Sequence, residues 1–474
     1  MLAWAVFAAA ALWFGTGLTP AWWWAWLAPI PLLWLAYTLQ RAAQANVIVF
    51  GVSLLGATSY ASYFWLLMPP VPALLATAGI ACIWYAVVMG ARAIVHGLNN
   101  GWSALGFPLL WVGADMLMRV LLPDGNWGSP AYAGATLLPL LQLASLIGVS
   151  GLLFVSTLVP SSIALLLWRG QRVRWPWVLV VTTLLLVASV VGFGLHRLHT
   201  PVEGIPVRIG LAAIDEPIDP ATPAAQWQRI RERYEAMVAQ LAAEGARVIL
   251  LPERLVTLPP AELVGWQQHF SALASRHRVW MSVGVTEDGR HPSNEAWLFD
   301  AQGQLVQRYQ KHFLAPPERV EDYARGRQYA IAQIDGMLWG LAVCKDMHFP
   351  SLGRANGLRD AAVMLVPAWD FDYRDARLAE RITATRGVEN GYAVVRSARE
   401  GLLSISDARG RTVLQARSAP FPGAMAVADL SVAMRVPTLY GATGDLFGWS
   451  AAVCAVVLLL ASLRSHRRCV SSRP

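Results

Sequence analysis

The sequence predicts a multi-span α-helical membrane domain that carries one α/β globular domain, and three observations predict it. Of 474 residues, 55% are hydrophobic, only 14% are charged and 22 are Trp, a composition too apolar for a wholly soluble chain. The apolar residues are also unevenly spread: 1–195 and 446–463 hold long runs almost free of charge, whereas 196–440 has ordinary soluble composition and most of the acidic residues. Within that middle segment, short apolar runs alternate with amphipathic ones, as strands and helices do in α/β domains. The expected domains are a membrane domain of about seven helices over 1–195, an extracytoplasmic globular domain over 196–440, a C-terminal span over 446–463 and a basic cytoplasmic tail over 464–474.

A helix needs about 20 mostly apolar residues to cross a bilayer core. Candidate spans fall at about 1–17, 21–39, 45–67, 72–92, 102–121, 136–167, 176–195 and 446–463. The first lacks a basic leading segment and is followed at once by further spans, so it is kept as a helix and not as a cleaved signal. An even number of spans leaves both termini on one side. Placing them in the cytoplasm gives the inner loops Arg41, Arg92, Arg169, Arg172 and Arg174, and gives the tail Arg464, Arg467, Arg468 and Arg473, while the opposite loops 17–20, 68–71 and 122–135 hold no Lys or Arg. That asymmetry puts the globular domain outside the cytoplasm. It also accounts for the formal charge of +8 without nucleic acid. Asp115 and Arg119, four apart, share a helix face and are expected to neutralise one another. Trp22, Trp23, Trp24 and Trp26 read as an interfacial belt.

In the globular segment, strands are expected over 207–213, 248–251, 280–285, 295–299, 338–343, 361–367, 392–397 and 401–406, and helices over 224–244, 260–276 and 375–390. The first of these helices carries Trp227, Ile230, Tyr234, Met237 and Leu241 at helical spacing. Cys344 is the only cysteine of this segment, since Cys82 and Cys454 lie in spans and Cys469 in the tail, so the domain has no internal disulfide and no CxxC-type metal spacing. No Gly-rich phosphate loop is present, and no metal or organic cofactor is expected.

Three chemically suggestive positions each follow an apolar run: Val248-Ile-Leu-Leu-Pro-Glu253 delivers a carboxylate, Leu305-Val-Gln-Arg-Tyr-Gln-Lys311 an ammonium and Leu341-Ala-Val-Cys344 a thiol. Brought into one cleft they would make an acyl-transfer site, with Glu253 taking the thiol proton, the thiolate attacking and Lys311 steadying the oxyanion.

Leu-Pro-Glu253, Tyr309-Gln-Lys311 with Pro-Pro-Glu318, and Val-Cys344-Lys-Asp with Phe-Pro resemble the Glu-Lys-Cys triad of the nitrilase, or carbon-nitrogen hydrolase, superfamily. The resemblance implies an α-β-β-α sandwich. A domain of this kind between the seventh and eighth spans is similar to the apolipoprotein N-acyltransferase family. Phe107-Pro-Leu-Leu-Trp111 with Asp115 and Arg119, Asn126-Trp-Gly-Ser-Pro-Ala-Tyr132, Gln142-Leu-Ala-Ser-Leu-Ile-Gly148 with Gly151, and Thr438-Leu-Tyr440 with Gly444-Asp445 carry that likeness. It implies a multi-pass enzyme of the bacterial inner membrane with its catalytic domain on the periplasmic side. It also implies that a phospholipid acyl chain passes to Cys344 as a thioester and then to the α-amino group of a diacylated apolipoprotein. A monomer is expected.

The chain departs from the family pattern in places. Lys345-Asp346 stands where Tyr-Glu is usual, so Asp346 could replace that carboxylate, one methylene shorter, and Lys345 would add a cation beside the thiol. The segment from Lys311 to Cys344 is short and polar, Pro367-Ala-Trp369-Asp370 replaces Ser-Asn-Asp-Ala-Trp, and Arg399-Glu400-Gly401 replaces Asn-Asn-Gly. These changes make a divergent paralogue a possibility. Glu318 is a second carboxylate for the lysine, or a loop residue. Trp369 either lines the acyl pocket or packs, and His312 and His348 are expected to be structural. The alternatives to the acyltransferase are a membrane-anchored amidase with the same triad and, from another class, an inactive binding or scaffold protein.

Overall fold

The computed structural model describes residues 2–98, 100–169 and 176–471, without the side chains of 176 and 466–471. Arg172, Arg174 and Arg473 of the charge pattern lie outside the described residues, and the side chains of Arg467, Arg468 and Cys469 lie outside the description. The chain divides into two compact units, Met1–His199 with Thr443–Pro474, and Thr200–Ala442.

In the first unit, six helices among the described residues are long and apolar enough to cross a membrane: Ala42–Leu67, Pro70–Leu98, Gly101–Leu121, Ala144–Arg169, Trp177–His199 and Leu446–Ser465. Three candidate spans differ from expectation. The first is a helix of only 14 residues, Leu2–Gly15, which rises about 21 Å against a hydrocarbon core of about 30 Å. The second is split into Trp22–Leu27 and Pro29–Thr38, because Pro29 and Pro31 have no N–H with which to continue the preceding helix. The span expected from 136 begins only at Ala144 and is kinked at Ile147 and Gly148, the latter at φ +69°, a conformation that favours glycine. The Asp115–Arg119 pair forms at 3.4 Å, joined by Asn126, which donates to Asp115 at 2.7 Å, and by Asp445, 2.5 Å from Arg119. A buried charge in an apolar unit is thereby given several polar partners.

In the second unit, the strands are β1 (Ile205–Ala213), β2 (Val248–Leu250), β3 (Val256–Leu258), β4 (Trp280–Glu287), β5 (Ser293–Phe299), β6 (Leu305–Gln310), β7 (Ile331–Ile334), β8 (Met337–Leu341), β9 (Val363–Trp369), β10 (Ala393–Arg399), β11 (Leu402–Ser406), β12 (Thr412–Arg417) and β13 (Ala424–Val432). One sheet runs β13-β1-β2-β4-β5-β6, with β3 beside β4, and the other runs β12-β11-β10-β9-β8-β7. The central strands β1, β2 and β4 are mutually parallel, as are β8, β9 and β10. Parallel strands buried on both faces read as near-continuous apolar runs, which is why these were visible in the sequence. The last strand was not: β13 pairs antiparallel with β1 from Ile205↔Val432 to Ala213↔Ala424, and its small residues carry little strand signal.

The inner faces of the two sheets pack Ile209, Leu211, Leu250 and Leu298 against Leu341, Val343, Leu365 and Val395. Helices Ala224–Ala243 and Leu263–His277 cover the outer face of the first sheet, where Ile230, Tyr234, Met237, Leu241 and Phe270 meet Ile249, Leu251 and Met281. Helix Tyr373–Asn390, capped by Asp372, covers the second. The result is an α-β-β-α sandwich, and each fully buried Leu or Ile in it contributes about 1.5–3 kcal/mol.

Candidate active site

The three functional candidates sit just beyond strand ends. The turn after β2 carries Glu253, 2% exposed. Gly284 of β4 passes so close beneath it that a Cβ there would collide with the Glu253 Cα and the Pro252 carbonyl, so only glycine permits this approach. Lys311 follows β6, and its N–H donates to the Asn294 carbonyl at 2.9 Å. Cys344 opens the short turn Cys344–His348 at φ +44°. A non-glycine residue held there costs about 1–3 kcal/mol, strain of a kind concentrated at functional sites. The end of β9 draws the elements together: the Glu253 N–H donates to the Ala368 carbonyl at 3.2 Å, and the Cys344 Sγ donates to the carbonyl of the next residue, Trp369, at 3.3 Å.

Lys311, 1% exposed, donates from Nζ to the Glu253 Oε1 at 2.6 Å and to the Glu318 Oε1 at 3.1 Å. Asn294 donates to the same two oxygens, at 2.6 Å and 2.5 Å. The Glu253 Oε2 is buried and has no partner among the described residues, an acceptor left open for a proton. With two of its three donors used, the ammonium keeps one for an oxyanion. Burial alone would drive the Lys311 amine down, but Glu253 and Glu318 outweigh it and hold the pKa well above the ordinary value.

The sulfur behaves differently. Burial, and then the Glu253 charge, push the Cys344 thiol well above its usual range, against the smaller pull of Lys311 and Arg396. At neutral pH it is therefore a thiol awaiting a base, not a preformed thiolate. Alkylation of Cys344 by iodoacetamide is expected to accelerate about tenfold per pH unit from about pH 7 to 9, following the rising thiolate fraction. A plateau below about pH 8 would show that the sulfur is already ionised.

The other candidates divide. Glu318 belongs to the cluster: 3% exposed, it accepts from the Ala315 N–H at 2.6 Å, and its carboxyl lies below the ordinary range because Lys311 and these hydrogen bonds outweigh the opposing effect of burial. Asp346 accepts from the Tyr309 hydroxyl at 2.7 Å and from the N–H groups of His312, Phe313 and Val343 at 2.8–3.1 Å. It thus ties the Lys311 loop to the Cys344 turn. Lys345 is buried, and its charge, after burial itself, helps depress His348, whose imidazole lies well below its usual pKa. The leading cations acting on the thiol are Lys311 and Arg396. His312 meets the Gln328 carbonyl through Nε2 at 3.1 Å and packs on Tyr309 and Tyr329. The Trp369 ring is flanked by guanidinium carbons of Arg254 at 5.4 Å and Arg399 at 4.0 Å, with its Nε1 donating to Glu400 at 3.1 Å.

Sequence reasoning missed Asn294, Arg396 and Arg254, and met Asp370 and Arg399 only as departures from the family pattern, without a role. Arg396 had a readable signal: a charge inside the apolar run of β10 needs a buried partner, and Asp370, at the end of neighbouring β9, supplies a two-pronged ion pair. Asn294 had none, since a polar residue near a strand start has many uses. Among the described residues no cluster of His, Cys, Asp and Glu is placed to hold a metal ion.

Comparison with known proteins defines the class and then the family. Residues 211–430 match the carbon-nitrogen hydrolase model, which puts the sandwich in that superfamily. Residues 8–162 match the model of the apolipoprotein N-acyltransferase N-terminal domain. An apolipoprotein N-acyltransferase of Geobacter metallireducens is 27% identical over 487 residues, covering 93% of this chain and 91% of the relative. One of Gloeobacter violaceus is 25% identical over 411 residues, covering 80% and 75%. A solved amidase from Nesterenkonia sp. aligns with 49% of this chain and 92% of its own at 21% identity, with a TM-score of 0.41. The two models and these relatives, over most of the chain, support the apolipoprotein N-acyltransferase family of the nitrilase superfamily.

Proposed function

We propose that this protein is an N-acyltransferase of the inner membrane that moves a phospholipid acyl chain through a Cys344 thioester to the amino terminus of a diacylated lipoprotein. The observation that carries this reading is the sealed Glu253–Lys311–Glu318 cluster, with one open carboxylate oxygen and one open ammonium donor, whose Glu253 and Lys311 charges act on the Cys344 sulfur while the Glu253 N–H and that sulfur bond successive carbonyls at the end of β9. In the first half-reaction the Glu253 Oε2 takes the thiol proton and the sulfur attacks the ester carbonyl. Lys311 steadies the oxyanion. Collapse breaks the ester C–O bond, and Glu253 returns the proton to the departing lysophospholipid. In the second, the acceptor amine attacks the thioester, Glu253 takes its proton, and the sulfur leaves and is reprotonated as the amide forms. Atoms balance: one ester and one amine become one alcohol and one amide.

A water-soluble site would have to draw both substrates from lipid at about 0.8 kcal/mol per CH₂, which accounts for the membrane unit. Its orientation in this proposal follows the charge pattern. The six long helices alternate so that Arg41, Arg92, Arg169 and Arg464 fall on one side, the cytoplasm with both termini, and Thr200–Ala442 falls on the periplasmic side. The working unit is a monomer. Asp346 and Lys345 support the cysteine turn, and Trp369 flanks the site.

The test uses membranes supplied with a phospholipid bearing an alkyne-tagged acyl chain. Cys344 becomes labelled, the label moves to a diacylated lipopeptide amine, and Cys344→Ala takes none. An amidase is the second reading, favoured by Lys345-Asp346 and by 26% identity over 149 residues to a deaminated glutathione amidase of Yersinia enterocolitica. It predicts no lipid label and hydrolysis of a polar amide.

A further inference from the structure

At the end of β9, where the Trp369 carbonyl accepts the Cys344 thiol, a pair of arginines that the triad chemistry does not use meets the Trp369 ring. Arg399, at the end of β10, is 3% exposed, and Arg254, the residue after Glu253, is half-buried and held at φ +50°. The Nε of each is buried without a partner, and neither guanidinium hydrogen-bonds or ion-pairs with a described residue. Two other buried arginines of this unit are ion-paired: Arg396 grips Asp370 and Arg386 grips Glu389. Arg254 and Arg399 instead meet at the ring of Trp369, whose own carbonyl accepts the Cys344 thiol, with Arg254 also over the Tyr323 ring at 5.4 Å. Stacking occupies the face of a guanidinium and leaves its in-plane N–H fork for an anion. The two cations also oppose one another. Burial, then the charge of Arg254, lower Arg399 to about 10, and the nearby carboxylates of Glu400 and Glu253 do not restore it. A half-strained, mutually repelling, unpaired pair is stabilised by an anion that bridges it.

We propose that Arg254 and Arg399 form an anion-binding subsite next to Cys344, which takes the phosphodiester of the acyl donor. The existence of the subsite stands on the geometry alone. The identity of its ligand rests on the acyltransferase reading, in which the donor's phosphate lies a few bonds from the ester that the sulfur attacks. A carboxylate on a soluble amide substrate offers the same bidentate chemistry, so the experiment separates the two sources.

The first arm needs no turnover. In the full-length protein, Cys344 is alkylated with iodoacetate and with iodoacetamide, reagents alike in size and different in charge. The rate ratio of the anionic to the neutral reagent is expected to fall about tenfold in the Arg254→Gln, Arg399→Gln double variant, and to be retained when both positions carry Lys. A ratio unchanged by the Gln pair overturns the subsite, and the Lys pair shows that the fold tolerates substitution there. In the second arm, labelling of Cys344 is compared between tagged phosphatidylglycerol and a tagged diacylglycerol with the same chains. Loss of the phospholipid preference in the Gln pair assigns the phosphodiester. A changed alkylation ratio with an intact lipid preference overturns that assignment and leaves the carboxylate. If the wild type takes no lipid label at all, the acyltransferase reading fails while the alkylation ratio still decides the subsite.

Discussion

Glu253→Gln is expected to lower acyl transfer about 10³-fold, within the range that a positioned general base supplies, while leaving the domain folded. The amide oxygen can still accept from Lys311 and Asn294, as the Glu253 Oε1 does at 2.6 Å in each case. What is lost is the open Oε2, the one oxygen of the cluster able to take a proton. Because burial holds the Cys344 proton tightly, its removal depends on that oxygen. Both thioester labelling and transfer to a lipopeptide should fall together, since the proposed mechanism uses the same group in both half-reactions. If the variant keeps activity within tenfold of wild type, the base is another group, and Glu318 becomes the one to test.

Lys311→Met is expected to remove activity and to destabilise the globular unit as well. Lys311, Glu253 and Glu318 are 1%, 2% and 3% exposed, so deleting the cation leaves two buried carboxylates facing one another. Breaking a buried pair in this way costs about 3–5 kcal/mol, which for a unit of this size lowers the melting temperature by about 10 °C. A second change separates stability from chemistry. Adding Glu318→Gln removes one of the opposed charges and should recover much of the melting temperature, with no recovery of transfer, because the oxyanion donor remains absent. Recovery of activity in that double variant would show that Lys311 serves only to neutralise Glu318.

The sequence made the parallel strands and the positions of the proposed triad visible for one physical reason. Strands β2, β8 and β9 are buried on both faces, so each is an unbroken apolar run that ends abruptly in a polar residue, and the end of the run is the place where a side chain reaches the site. Glu253 and Cys344 are read that way. Edge elements obey weaker constraints: β12, largely exposed, and β13, rich in alanine, gave no pattern against a turn-rich background. The same limit applies in the site. Arg399 was noticed as a departure from the family's Asn, yet its lack of a partner is a property of three-dimensional neighbours, and only coordinates show that Arg254 shares its ring. In the membrane unit, hydropathy located the apolar segments but not their continuity, which Pro29 and Gly148 decide locally.

The pairing of β1 with β13 has an architectural result. Ile205 lies opposite Val432, so the polypeptide enters and leaves the sandwich at neighbouring points on a single edge. A module whose two ends meet is one that genetic rearrangement can splice into a host loop without stretching the host, because the gap left behind is no wider than the spacing between adjacent strands.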